Sequence, residues 1–289
     1  MEILKIALNL MNSLSLMFVI AFLLTKTKAF KNLFFSDSNP IRHKIFLAII
    51  FGTFGIFGTY NGFPVDGAIA NSRAIAVIVA GLLGGPIAGI GAGLIAGIHR
   101  WAIDIGGFTA FACAVSTLVE SLMGSLGYKY SKKFKHKWLL GFIITVIAEI
   151  MQMVIILAIA RPYSAAATLV NKIAIPMTII NSIGVALFII ILESIYREQQ
   201  REAAIQSELA LKIADQTLPI LRNGINRETA LAACNIIYDA AKVDAVAITR
   251  GMEILAHVGA GSDHHLPGEN IKTYATKLAL EKGEPVIAT

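Results

Sequence analysis

Six apolar stretches, each long enough to cross a bilayer, fill the first two-thirds of this chain: roughly 3–24, 44–63, 74–98, 108–127, 138–160 and 172–195. About 20 apolar residues span the hydrocarbon core as a helix. No water reaches the backbone there, so each stretch must satisfy its own hydrogen bonds, which leaves helices as the spanning elements. The composition agrees. Of the 289 residues, 56% are hydrophobic and only 15% are charged, with mean hydropathy +0.68, against about 25% charged in an ordinary soluble domain. The hydropathy is uneven: residues 1–195 carry the apolar runs, and 196–289 read like a soluble sequence. The run from Ile3 to Leu24 has no small-residue cleavage site and reads as a retained membrane helix.

The net charge of +6 comes largely from short loops, so it speaks for membrane orientation and against nucleic-acid binding. One loop carries Lys26, Lys28, Lys31, Arg42 and Lys44; a second carries Lys129, Lys132, Lys133, Lys135 and Lys137. Both belong in the cytoplasm by the positive-inside rule, as does the charged run from Arg197. The N-terminus then lies outside, and an odd number of crossings is required between about residues 64 and 128. Two apolar stretches lie there. The run "GLLGGPIAG" resolves the conflict, because Gly84, Gly85 and Pro86 interrupt a helix at its centre. Either 74–98 is a re-entrant pair of half-helices, giving five crossings, or it crosses twice, giving seven. A broken helix at membrane depth must be covered by protein or line a cavity. Gly89, Gly93 and Gly97, spaced by four, let another helix pack close.

Past Leu192 a helix leaves the membrane, with Ile195, Ile205, Leu209 and Ile213 at mostly helical spacing. It reads as a cytoplasmic signalling helix over 196–220 that pairs with a second copy of itself. From 221 the pattern becomes α+β. "NRETALAACNIIYDAAK" predicts a helix with Asn226 as N-cap, and "DAVAITR" and "EILAHVG" predict strands joined at Gly251–Met252. A helix over "NIKTYATKLALEKGE" and a strand beginning at "PVIAT" complete the pattern. "DHH" at Asp263–His265 reads as a structured polar loop. Adjacent histidines diverge, and no third ligand stands at a metal-binding spacing. The two cysteines, Cys113 and Cys234, indicate no disulfide framework.

The polar residues kept in or beside the apolar runs are the candidate site. Asn71, Arg73, His99, Arg100 and Asp104 flank the glycine run. Cys113, Ser116, Thr117 and Glu120 lie at i, i+3, i+4 and i+7, on one helix face. Glu149 shares a face with Gln152, and Asn181 and Ser182 sit within the last run. A charge at the bilayer centre costs about 2.5–3.5 kcal/mol on insertion scales, so Arg73 and Arg100 need a reason to be there. One reason is an internal salt bridge, with Asp104, Glu120 or Glu149 as partner. The other is a site for a small anion, with guanidinium forks gripping a carboxylate and Ser116 or Cys113 contacting the rest of the ligand.

"NSRAIAVIVAGLLGGPIAGIGAGLIAGIHR" followed by "GGFTAFACAVSTLVESLMG" resembles the membrane sensor region of LytS/YhcK-type bacterial receptors. "EIMQMVIILAIARPYSAAATLVNKIAIPMTIINSIGVALF" resembles its last two helices. "VGAGSDHHLPGENIKTYATKLAL" is similar to the GAF domain that follows in LytS-type sensor histidine kinases. The resemblance implies a sensor over 1–195, with five to seven crossings, and a partial GAF-like domain over 221–289. It implies a pocket for pyruvate or a related small acid built on Arg73, Arg100, Cys113 and Ser116. Asn71, His99, Thr117, Glu149, Gln152 and Asn181 stand as further candidates. It also implies a homodimer, and a kinase domain that would use ATP and Mg and pass phosphate to a response regulator. The chain shows no phosphoacceptor or ATP-binding segment, and its end at Thr289 in mid-domain reads as truncation. No catalytic residue and no resident cofactor or metal is expected in these residues. A cyclic-dinucleotide cyclase output, as in YhcK-type relatives, and a small-solute transporter are the alternative readings.

Overall fold

The computed structural model describes residues 2–27, 41–131, 133–222 and 224–287; Lys28, Lys31 and Lys132 of the basic loops lie outside them. The chain divides into two compact units, Met1–Arg197 and Glu198–Thr289. The elements of the first are α1 (Glu2–Lys26), α2 (Ile41–Tyr60), β1 (Phe63–Val65), β2 (Ala68–Ala70), α3 (Arg73–Ala102), α4 (Ala110–Ser131), α5 (Lys137–Ile159) and α6 (Tyr163–Leu221), the last continuing into the second unit. All six helices are long and apolar enough to cross a membrane. The last begins nine residues before the expected 172, directly after Pro162. It then runs without a break for 59 residues, about 88 Å at 1.5 Å per residue. The expected membrane and signalling helices are therefore one helix. Glu, Gln, Arg, Ala and Leu dominate the stretch after Leu192, and all favour helix in water as Leu and Ile do in lipid.

α3 is one helix only in name. Gly85 has φ 83 and ψ −173, a backbone state closed to residues with a Cβ. Pro86, which lacks an N–H, opens the next half. A Cβ placed on Gly89 would lie 2.5 Å from the Cα of Gly81, which a straight helix would hold about 12 Å away. Against α4, Arg73 meets Thr117 and Gly81 meets Gly124 and Ser125; the second half then returns from Gly89 at Ser125 to Gly97 at Ala114. Gly55 of α2 touches both Ala96 and Arg73. The chain reverses at Gly85, and residues 73–84 and 86–102 lie side by side as a helical hairpin. Glycines at 81, 89, 93 and 97 form its packing faces, the last three at the spacing of four expected from the sequence.

The first half is covered on all sides: Ile75 through Ala80 and Leu82 are each at most 1% exposed. Leu14 and Met17 of α1, Phe51 of α2, Ala148 of α5 and Val185 and Ile189 of α6 join it in one core. A helix apolar on every face belongs inside. The β1–β2 hairpin that leads into it was not expected. Phe63 pairs with Ala70 and Val65 with Ala68, around an Asp66–Gly67 turn with φ 46 and 78, both positive as a type I′ turn demands. Lys172 of α6 ion-pairs with Asp66 at 2.8 Å and Glu2 at 3.0 Å.

The second unit holds α7 (Arg227–Ala241), β3 (Ala245–Arg250), β4 (Glu253–Gly259) and α8 (Tyr274–Lys282). Asn226 caps α7 reciprocally with Thr229. β3 and β4 pair antiparallel across Gly251–Met252, with a bulge at Ile248/Thr249. Ala230 and Cys234 pack on Leu255 and Ala256. α8 starts four residues later than expected because Asn270 bridges to Glu253 and the Ile271 N–H donates to the Met252 carbonyl. Residues 285–287 form no strand, and 288–289 lie outside the described residues. Asp263 pairs with His264 at 2.7 Å, and the His265 ring lies 5.2 Å from that of His257.

A Gly89→Leu substitution drives a side chain into Gly81 and Ser125. It should lower the thermal unfolding midpoint in detergent by the equivalent of about 1–3 kcal/mol or more, and an unchanged midpoint contradicts the folded-back arrangement. Burial, aided by the neighbouring charges of His265 and His264, holds the His257 imidazole pKa below 6.5. Neutral His257 then contributes stability that is fully present above pH 6.5 and is lost as pH falls toward the lowered value. Hydrogen exchange of β4 amides should speed up below that pH, beyond the intrinsic rate change, and His257→Gln should remove the effect.

Candidate functional site: two buried arginines at one end of a helical hairpin

The reversal at Gly85 brings Arg73, the first residue of one half, to the same end as Arg100, in the last turn of the other. Both are buried, at 1% and 0% exposure. Their surroundings differ. The Arg100 Nη1 and Nη2 donate to Asp104 Oδ2 at 3.2 and 3.3 Å, and Nη2 also reaches Thr109 Oγ1 at 3.3 Å. Asp104 is 34% exposed, so this pair forms at the rim. The internal salt bridge is realised for Arg100.

Arg73 makes no ion pair among the described residues. Its Nε donates to Thr117 Oγ1 at 2.6 Å, while Nη1 reaches Thr59 Oγ1 at 3.5 Å and Nη2 the Cys113 carbonyl at 3.4 Å. All three acceptors are neutral. The Nη contacts sit at the outer limit of hydrogen bonding. That carbonyl already accepts from Ser116 Oγ at 3.0 Å and Thr117 Oγ1 at 2.7 Å. Arg73 also stands in the first turn of its half-helix, where the backbone dipole is positive and a cation is disfavoured. No anion touches the fork among the described residues, and the helix dipole opposes its charge.

Asn71 orients this residue. Its Oδ1 accepts from the Arg73 N–H at 3.1 Å, and its Nδ2 donates to the Ile69 carbonyl at 2.9 Å, fixing the passage from β2 into α3. The Asn71 carbonyl accepts from Asn181 Nδ2 of α6 at 3.2 Å, and the same amide donates to Glu149 Oε1 of α5 at 2.6 Å. Three elements meet at one side chain.

Of the expected residues, Asn71, Arg73, Cys113, Thr117, Glu149 and Asn181 are joined in this network. Ser116 lies on the same buried α4 face but turns its hydroxyl onto its own helix. Gln152 is buried one turn from Glu149. His99 sits at the hairpin's end, its ring edge-on to Tyr60 at 5.1 Å. Cys113 is a buried free thiol. Glu120, one turn below Thr117, is wholly buried with both carboxylate oxygens unpartnered. Thr59 and Thr109, which the sequence did not single out, hold the two guanidiniums. A lone threonine in an apolar run gives little signal, although Thr59 follows the spacing of Gly52, Gly55 and Gly58 on one α2 face.

Asn181→Ala strips the Asn71 carbonyl and Glu149 Oε1 of their shared donor. It should destabilise the membrane unit by about 1–3 kcal/mol, read as a lower unfolding midpoint, whereas Asn181→Asp should cost at least as much by adding a buried charge.

Residues 27–195 match the family model described as the 5TMR of 5TMR-LYT. The sensor histidine kinase BtsS of Escherichia coli (strain K12) is 40% identical over 291 residues, which cover 98% of this chain and 51% of that protein. The sensor protein LytS of Bacillus subtilis (strain 168) is 36% identical over 283 residues, covering 92% and 47%. The sensor histidine kinase YpdA of Escherichia coli (strain K12) is 33% identical over 287 residues, covering 99% and 50%. The chain thus spans about half the length of the curated relatives it matches. No solved structure matches it. With the family model covering the glycine-broken hairpin, both buried arginines, and α2, α4, α5 and the part of α6 up to residue 195, the chain belongs to the 5TMR-LYT family, the membrane receptor region of LytS-like sensor histidine kinases.

Proposed function

We propose that this chain is the input half of a two-component sensor, and that Arg73 receives the carboxylate of a small extracellular acid such as pyruvate. The observation that carries this reading is a fully buried guanidinium with no ion pair among the described residues and two loosely held Nη groups. A carboxylate accepting from Nη1 and Nη2 in bidentate fashion replaces two long neutral contacts with two charge-assisted ones. It also meets the positive end of the half-helix. Arg100, held by Asp104, closes the same end. Thr117 and the Cys113 carbonyl accept from the guanidinium and Asn71 accepts from the Arg73 N–H; Ser116, His99, Gln152 and Asn181 complete the residues of this reading.

The orientation follows from charge and parity. With α3 as a re-entrant hairpin, α1, α2, α4, α5 and α6 make five crossings. Lys26, Arg42 and Lys44, and Lys129 to Lys137, then share the cytoplasmic side. Both arginines face outward, and α6 emerges inside, leading to the α+β unit, read as the start of a GAF-like domain. Of the seam read from the sequence, Ile205 is exposed, Leu209 and Ile213 are half-buried and Ile195 is buried; the first three suit pairing with a second copy. A kinase domain using ATP and Mg, and a response regulator as recipient of the phosphate, complete the reading. The acid shifts the balance between two packings of the helices by its differential affinity for them.

Calorimetry with pyruvate and a panel of mono- and dicarboxylates, on detergent-purified protein, tests the reading. Saturable binding should disappear in Arg73→Ala and weaken at least about tenfold in Arg73→Lys, which keeps the charge but loses the fork. Failure of every acid to bind, with Arg73→Ala merely less stable, refutes it.

A further inference from the structure

Below the arginine fork the membrane unit holds two carboxyl groups that the fork does not use. Glu120 of α4 and Glu149 of α5 are both 0% exposed. Glu120 has no partner on either oxygen, and Glu149 has none on Oε2. Asn181, also 0% exposed, spends its Nδ2 on Glu149 and leaves its own Oδ1 unpartnered beside it. Four buried acceptor oxygens therefore lack a donor in one region between α4, α5 and α6. An ionised carboxylate buried without donors is the costliest arrangement available to it. Each bound proton converts one acceptor into a donor and removes one charge.

The charged groups near enough to act on Glu120 are Arg73 from the hairpin and Glu149 from α5. α6 contributes Asn181 and Ser182 and α2 contributes Thr59, none of which is charged. Arg100 is offset by Asp104. With both acids ionised, the Arg73–Glu120–Glu149 group carries −1; with one proton it is neutral. A carboxylate arriving at Arg73 restores −1, and a second proton restores neutrality. Desolvated sites favour the neutral count at each step.

We propose that Glu120 and Glu149 form a buried proton site, and that a small carboxylate binds at Arg73 together with one proton taken up by this pair. The coupling rests on the receptor reading above; the proton site does not. In the uptake step an O–H bond forms on a Glu oxygen as an O–H bond of hydronium or an N–H or O–H bond of the buffer acid breaks, leaving water or the buffer base, with no change of oxidation state. The acid thus enters as its anion plus a proton, so the receptor senses pH and carboxylate jointly.

Two measurements on the detergent-purified chain separate the claims. Without any acid present, infrared spectra should show a protonated-carboxyl C=O band at neutral pH, reduced in Glu120→Gln and in Glu149→Gln. Absence of that band, or its survival in both variants, overturns the proton site. In calorimetry with pyruvate, the apparent affinity should fall about tenfold per pH unit as pH rises through the neutral range. Buffers of different ionisation enthalpy should report about one proton taken up. Glu120→Gln, neutral and nearly isosteric, should still bind and keep the slope, because Glu149 then takes the proton. Glu120→Gln combined with Glu149→Gln should bind without the slope. Pyruvate affinity that is flat with pH overturns the coupling, as does an affinity that follows sodium concentration at fixed pH. If the band is present and pyruvate binds at no pH, the receptor reading fails while the proton site stands.

Discussion

The backbone reversal at Gly85 governs everything around it. A helix that stops at membrane depth exposes carbonyls at one end and N–H groups at the other, with no water to take them. Pro86 removes one donor, and the positive φ of Gly85 lets the chain fold back within a residue. What remains must be shielded by protein, so residues 73–84 are enclosed by every helix of the unit. Close enclosure in turn requires surfaces without side chains. Gly81 and Gly89 therefore face each other, and Gly93 and Gly97 continue the face along α4. The break, the burial and the glycine face are one solution to one problem.

The same reversal distributes charge. Two arginines at opposite ends of an apolar run would sit at opposite faces of a membrane if the run were straight. Folded back, they share an end, and their environments diverge. Arg100 lies near the rim, where Asp104 keeps contact with solvent and an i,i+4 ion pair costs little desolvation. Arg73 lies one layer deeper and hydrogen-bonds only to threonine hydroxyls and a carbonyl. Those bonds fix the guanidinium plane without neutralising it. On the reading proposed above, a cation held in place with no anion in contact is prepared for one, because the interaction gained on binding is not offset by moving the protein.

The sequence made much of this legible, and the limits have physical causes. The charge parity of the loops and the Gly84–Gly85–Pro86 cluster pointed to a broken segment, since both reflect constraints local to the chain. They left re-entry and double crossing equal, because both fold the run back at Gly85 and both bring Gly81 against Gly89. The polar face of α4 followed from helical periodicity alone. The Arg100–Asp104 pair followed from its i,i+4 spacing, whereas the lack of an ion pair at Arg73 did not, as Glu120 and Glu149 both stood as candidate partners before the fold was known. Thr59 escaped notice because a threonine satisfied by its own helix and one that holds a guanidinium look identical in sequence. The β1–β2 hairpin was signalled by Asp66–Gly67 but is too short to show alternation.

Asn181 gives the arrangement a mechanical consequence. It sits on α6, the same unbroken helix that runs to Leu221, and its amide grips both the Asn71 carbonyl, two residues from Arg73, and Glu149. A change in how Arg73 is held alters the Asn71 backbone, and a change in the protonation of Glu149 alters the other half of the same amide's bonding. In the proposed receptor, either event would act on α6 through one side chain. In the proposed receptor, a helix of this length would carry axial shift or rotation, because its hydrogen bonds are internal and do not need to break. That reading calls for no lid: one polar residue on the output helix stands where the charges of the proposed input site meet.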